Sequence, residues 1–213
     1  MTDNRFESLA ATAGPVSRET YDRLLQFETR FRAWAVRINL VAPSTLPDLW
    51  ERHILDSAQI LPLAGEAKRF IDLGSGGGFP GLVLAFLVQE RGGWVDLVES
   101  NRKKAGFLQA MVGEFALPAR VHAVRIEDVH LEPGVEIVTS RALAPLPLLL
   151  LLTQRWLCAG AVGLFHKGRD YRREIEESAD TANLDLIEHR SRIDPDSVVL
   201  EVRTSQRAMP LSA

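Results

Sequence analysis

The chain predicts an α/β fold. It is a mostly parallel, seven-stranded, Rossmann-like sheet that ends in an antiparallel hairpin and is preceded by a helical extension. Three observations carry this. From Arg69 onward, short apolar runs alternate with helical stretches, the pattern of parallel strands joined by crossover helices. The first run ends in the densest glycine cluster of the chain, "IDLGSGGGFPG", Ile71 to Gly81, where a strand turns into a helix. The last two apolar runs, "LDLIEHRSRI" and "SVVLEVRT", are separated by "DPD", a turn too short for a crossover.

The 213 residues, 46% hydrophobic and 25% charged, suffice for one globular unit with a full core. We read residues 1–66 as a helical extension packed on a core, 67–213. Residues 1–14 are polar and are expected to fray. "SRETYDRLLQFETRFRAWAVRINL" predicts a helix with Ser17 as N-cap. Its apolar residues Tyr21, Leu24, Leu25, Phe31, Ala35 and Ile38 recur close to a 3.6-residue period. Arg23, Arg30 and Arg37, spaced by seven, share one outer face. That face is either solvated, with Glu19, Asp22 and Glu28 beside it, or a stripe that meets phosphates.

"LPDLWERHILDSAQIL" predicts a second helix, with Pro47 in its first turn and Pro62 at its end. His53 and Asp56 share one face of it, as a structural pair or as part of a site. The strands that follow are "RFIDL", "WVDLVE", "RVHAV", "EIVTS" and "AVGLFHK". Helices begin near Pro80, Arg102, Ile126 and Ala144. The run "LPLLLLL", Leu146 to Leu152, is too short to span a bilayer and reads as a buried helix. A charged helix, "YRREIEESADTAN", leads into the hairpin.

Cys158 is the only cysteine. A disulfide within the chain is excluded, no metal centre is expected, and the usage suits a reducing, cytoplasmic setting. The opening "MTDNRFESLA" lacks the apolar region of a secretory leader. A net charge of −3 argues against indiscriminate nucleic-acid binding, but leaves room for a local basic patch.

The glycine cluster satisfies two patterns. Gly76, Gly78 and Gly81 form the G-x-G-x-x-G of dinucleotide sites, and Asp72, Gly74, Gly76 and Gly78 form the D-x-G-x-G-x-G of loops that hold S-adenosylmethionine. Glu99, at the end of the next strand, can accept both hydroxyls of a ribose in either class. Three features favour S-adenosylmethionine. Asp72 would repel a pyrophosphate but welcome a methionyl amino group. Phe79-Pro80 intrudes where a pyrophosphate needs free N–H groups. The sheet ends in a hairpin instead of a second mononucleotide-binding half. Ser75 lies within the same loop.

In "RIED", Ile126 can pack on an adenine face and Glu127 or Asp128 can meet its amine; an ordinary acidic helix start is the equal alternative. "TSRALAP" ends the fourth strand, on the edge that faces a methyl acceptor. It has neither the Asn/Asp-Pro-Pro-aromatic run that serves an exocyclic amine nor a Pro-Cys nucleophile. Arg141 stands there instead, and it can orient phosphates or a carboxylate but cannot act as a base. An acceptor with a ready lone pair and no proton to lose fits. Guanine N7 is one; a carboxylate is another. Lys167 ends the fifth strand, to contact a polyanion or to snorkel. Arg102, Lys103 and Lys104 at a helix start oppose its dipole, which hints at a phosphate partner, and Arg169 opens a further cluster.

"NLVAPSTLPDLWERHILDS", "DLGSGGGFPGLVLA", "LVESNRKKAGFL", "RIED", "SRALAPL" and "HKG" occur in this order from about Asn39 to Gly168. Together they resemble the GidB/RsmG family, bacterial 16S rRNA guanine-N7 methyltransferases. The resemblance implies a class I S-adenosylmethionine-dependent methyltransferase acting on one guanine of 16S ribosomal RNA, alone or in the small subunit or an assembly intermediate. A monomer without membrane contact is expected. It places cofactor contacts on Gly74, Phe79, Ile126, Glu127 and Arg141, with Glu99 at the ribose position, and supplies no defined general base. Gly77 stands where family members often carry Ala or Pro, which predicts a slightly looser loop. RNA contacts are expected from Arg30, Arg37, Arg102, Lys103, Lys104, Lys167 and Arg169.

Overall fold

The computed structural model describes residues 4–178 and 183–205. Seven strands, β1 (Arg69–Leu73), β2 (Trp94–Val98), β3 (Ala119–His122), β4 (Ile137–Arg141), β5 (Val162–Lys167), β6 (Leu184–Arg190) and β7 (Val198–Thr204), form one sheet. Their order is β3-β2-β1-β4-β5-β7-β6. The first five are parallel; β7 pairs antiparallel with β5, and β6 with β7. The order reverses between β1 and β4, so a crevice opens above their carboxyl ends. This is the predicted α/β architecture.

Side chains along β1 alternate between two cores. Phe70 joins the layer formed with the N-terminal helices, and Ile71 and Leu73 join the opposite layer. On the first side lie α1 (Asn4–Ala13), α2 (Arg18–Ala35), α5 (Gly81–Val88) and α6 (Arg102–Glu114). Every residue of α5 is buried. On the other side lies α7 (Leu146–Cys158), with α8 (Tyr171–Glu176) packed near it.

Residues 4–13 are helical, not frayed, because Leu9 and Ala13 bury against α2 and its neighbours. Ser17 caps α2 as predicted, accepting from the Thr20 N–H at 3.0 Å. α2 presents Phe27 and Phe31 to Phe79, Phe86 and Phe107, with ring centroids 5.1–6.0 Å apart. The arginine stripe is not an open face, because its first two members reach residues 115 and 114 at the end of α6. Arg23 is half-buried and donates to Gln89 at 2.7 Å and to the Phe115 carbonyl, and Arg30 pairs with Glu114 at 2.6 Å; Arg37 alone is unengaged and exposed.

The second predicted helix is three pieces. A π-helical turn, Trp50–Leu55, runs into α3 (Asp56–Ala58), and α4 (Ile60–Leu63) follows. Pro62 does not end it, because the third residue of α4 has no intrahelical N–H bond to lose. The leucine run is also not wholly buried. Leu148 and Leu151 of α7 face outward, 48% and 66% exposed, because a helix packed on one side of a sheet buries only one stripe. The charged helix shrinks to α8, and residues 179–182 of that segment lie outside the described residues. The "DPD" turn closes the hairpin: the Ser191 N–H bonds to the Ser197 carbonyl at 3.0 Å, and Asp194 accepts from the Asp196 N–H at 3.0 Å. No helix among the described residues is long and apolar enough to cross a membrane.

Candidate active site

The turn after β1 is shaped by glycines. At Gly74 φ is +68° and an added Cβ would meet Leu143 at 2.6 Å, so only glycine serves. Gly77 is not a slack position: a Cβ there would sit 2.8 Å from the Leu40 carbonyl oxygen. The loop is therefore pressed against the N-terminal segment, which overturns the expectation of looseness.

Asp72 does not reach the ligand side. The pleat of β1 aims it beneath α5, where it is 1% exposed. Its Oδ2 accepts from the Gly81 N–H at 3.2 Å and its Oδ1 from the Thr139 hydroxyl at 2.9 Å. Burial raises its pKa to about 6 against the opposing hydrogen bonds from Thr139, Ser75 and Gly81. Asp72 thus holds the loop and the helix start; it lines neither cavity. Gly78 is likewise structural, its N–H bonded to the Ser75 carbonyl at 2.6 Å. The Leu82 N–H is taken by the Gly78 carbonyl at 2.8 Å. With the Gly81 and Leu82 donors satisfied internally and proline before them, the α5 start has little to offer a pyrophosphate.

Two cavities, about 1090 and 400 Å³, adjoin above the strand ends. They share Gly74, Gly76, Lys104 and residues 142–144 as a common wall. The smaller contains Gly74, Gly76, Glu99, Ile126 and Glu127 together, with apolar Val98 and Val124. Glu99 accepts from the Gly76 N–H at 2.9 Å and the Asn101 N–H at 2.6 Å. A carboxylate has about four lone-pair directions, so two remain for vicinal hydroxyls. A glycine cradle, a ribose acceptor and apolar walls for a base fit the nucleoside end of S-adenosylmethionine.

The larger cavity holds Ser75, Phe79, Arg141 and Lys167. It also holds Thr45 and His166, not singled out from sequence, and His53 and Asp56, read there as a structural pair or as part of a site. The shared face of His53 and Asp56 was their only local signal. Arg141 donates to the Arg52 carbonyl at 3.0 Å, to Asp56 Oδ2 at 3.2 Å and to His53 Nδ1 at 2.5 Å. Its guanidinium carbon lies 5.3 Å from the Phe79 ring centroid. Burial lowers its pKa and the Asp56 carboxylate opposes this; the group stays charged. Ala142, beside it, is held at φ +51°, a strained conformation for a side-chain-bearing residue.

Lys167 neither snorkels nor faces a polyanion. It is 8% exposed, donates to the Ala144 carbonyl at 3.1 Å and pairs with Glu174. Sitting at the end of a central strand under α8, it is neutralised where it lies. Of the cations expected to meet RNA, only Lys104 and Lys167 line a cavity; Arg37, Arg102, Lys103 and Arg169 are on the surface, and Arg30 is ion-paired.

A switch-point crevice whose helix start is closed to phosphate, with a reversed final hairpin, defines the class: an S-adenosylmethionine-dependent methyltransferase. Solved structures share the architecture. A SAM-dependent methyltransferase from Aquifex aeolicus superposes with a TM-score of 0.57 at 14% identity, covering 82% of this chain and 97% of that one. The family is narrower. The profile of GidB, rRNA small subunit methyltransferase G, matches residues 20–193, and the chain belongs to that family. It is 56% identical over 209 residues to the "Ribosomal RNA small subunit methyltransferase G" of Chelativorans sp., covering 97% of this chain and all of that one. Identity to the protein of the same name from Brucella anthropi is 54%, over 96% of this chain and 97% of that one.

Proposed function

We propose that this chain, acting as a monomer in the cytoplasm, methylates N7 of one guanine in the 16S rRNA of the small subunit. One observation carries the reading: every carboxylate that lines the larger cavity, on the acceptor side, already has an internal partner among the described residues. Asp56 holds Arg141 and Gln59; Glu174 holds Lys167 and the Leu146 N–H; Asp194 holds the Asp196 N–H and the Ser197 hydroxyl. His53 holds Arg141 and Thr45, and His166 meets the Asp56 carbonyl. No carboxylate stands ready as a general base, and the ring nitrogen left without a partner, His166 Nδ1, is sealed from the cavity surface. Guanine N7 has a lone pair and no proton to shed, so positioning suffices.

The cofactor, when bound, supplies the electrophilic methyl. Gly74, Gly76, Glu99, Ile126 and Glu127 would hold its nucleoside end, while Asp72 and Gly78 keep the loop in shape from beneath. Arg141, Phe79 and Ser75 would border the reacting centre. Exposed Arg37, Arg102, Lys103 and Arg169 would meet the phosphates around it, with the extension, 1–66, and the core, 67–213, working as one unit.

The test is transfer of labelled methyl to 30S particles and to deproteinised 16S rRNA, followed by nucleoside digestion and mass analysis. Label in 7-methylguanosine is expected. Label at another base or atom, or none with either substrate, overturns the reading.

A further inference from the structure

We infer that His53 is a positioning residue for Arg141, presenting an unprotonated Nδ1 lone pair that sets the plane of the guanidinium at the acceptor cavity. This rests on the reading that Arg141 borders the reacting centre. A guanidinium only donates, so the 2.5 Å contact between Arg141 Nη2 and His53 Nδ1 requires an unprotonated Nδ1. The proton of the neutral ring then belongs on Nε2, which lies 2.9 Å from the Thr45 hydroxyl oxygen. Thr45 in turn donates to the Ala42 carbonyl at 2.8 Å. The ring is therefore held at both edges, with its face 5.0 Å from the Phe79 centroid at 32°. Burial and the Arg141 charge pull its pKa down to about 3, which keeps the lone pair available across the working range.

The contact does more than pair charges. Asp56 and the Arg52 carbonyl both accept from Nη1, so these contacts alone would leave the guanidinium free to pivot about that one nitrogen. An acceptor on the other terminal nitrogen, His53 Nδ1, removes that freedom. Arg141 is thereby aimed by a residue from the N-terminal segment, not by the sheet that carries it.

The test separates the two edges of the ring, using the full-length protein, labelled cofactor and 30S particles. Asn places an oxygen where Nδ1 stands; Gln places its amide near Nε2. His53→Gln, which loses the Arg141 contact, should cut single-turnover methyl transfer about 10- to 100-fold, while His53→Asn, which keeps it, stays within about threefold of the wild type. Neither substitution should add to the loss already caused by Arg141→Ala. Thermal unfolding is followed in parallel, and Thr45→Val, which frees the far edge without touching the contact, should give a smaller loss that also vanishes in the Arg141→Ala background. Equal losses in the Asn and Gln variants, or a His53→Gln loss that persists without Arg141, overturns the inference. Full activity of Arg141→Ala is a different result and removes the underlying reading of Arg141 itself.

Discussion

At Gly81 there is no room for a methyl group. An added Cβ would stand 2.3 Å from Leu97 and 2.6 Å from Asp72 Oδ2. Gly81→Ala should therefore destabilise the protein by about 1–3 kcal/mol, the usual cost of overpacking, and weaken cofactor binding through the loop that Asp72 braces. Urea unfolding and equilibrium dialysis with the cofactor would measure the two; an unchanged midpoint contradicts the packing argument. Asp72 and His53 give opposite pH signatures. The folded pKa of Asp72, about 6, lies above its ordinary 3.8. Its contribution to stability is full below 3.8 and is lost as pH rises through 6. For His53 the folded value, about 3, lies below 6.5, so its contribution is full above 6.5 and is lost as pH falls toward 3. Relative to wild type, Asp72→Asn should gain stability from pH 4 to 7, and His53→Asn should gain it from pH 6.5 down to 4. A pH-independent difference in either series counts against the assignment. The loop glycines were legible from sequence because backbone conformation is local. The burial of Asp72 was not, because it depends on Thr139 from another strand and Gly81 from a helix start.

Among the elements, α2 acts as the spine of the N-terminal layer. Phe27 is fully buried against Phe31, Phe79, Phe86 and Phe115. Phe27→Ala should cost about 3–5 kcal/mol and, because Phe79 belongs to the glycine loop, should lower cofactor affinity as well. Loss of stability with unchanged affinity would show that the loop does not lean on α2. The start of α2 was readable because an N-cap is a short-range device. The break of the next helix was not. Between Trp50 and Leu55 the helix widens to a π turn, the Asp56 N–H reaching the Glu51 carbonyl, and Trp50, His53, Ile54 and Leu55 are all buried. Such turns often mark functional sites, and this one carries His53 and leads into Asp56. Nothing in "WERHILD" announces it, since the extra residue in the turn answers to the surface it packs against.

For the whole molecule, one continuous core runs from Leu9 through the central strands to Val199. A chain beginning at residue 67 would expose the apolar outer side of α5, on which α2, α3 and α4 pack, so it should show no cooperative thermal transition; a sharp one would make the extension dispensable for folding. Methyl transfer to 30S particles should weaken steeply with salt, and Arg102→Ala or Lys103→Ala should each lower the log–log salt slope by about 1 if it meets one phosphate. An unchanged slope removes that residue from the RNA face. By itself the sequence determined the sheet and its reversed hairpin, the cofactor class and the family, because strand–helix alternation, glycine placement and Pro80 are written in short windows. Only the tertiary structure decided which charges are available. Lys167 is neutralised by Glu174, Arg30 by Glu114, and Asp72 is sealed beneath α5, while His53 and Asp56 travel from the N-terminal segment to hold Arg141. A side chain's role depends on its partner and its exposure, and folding brings those partners together from 7 to 88 positions away.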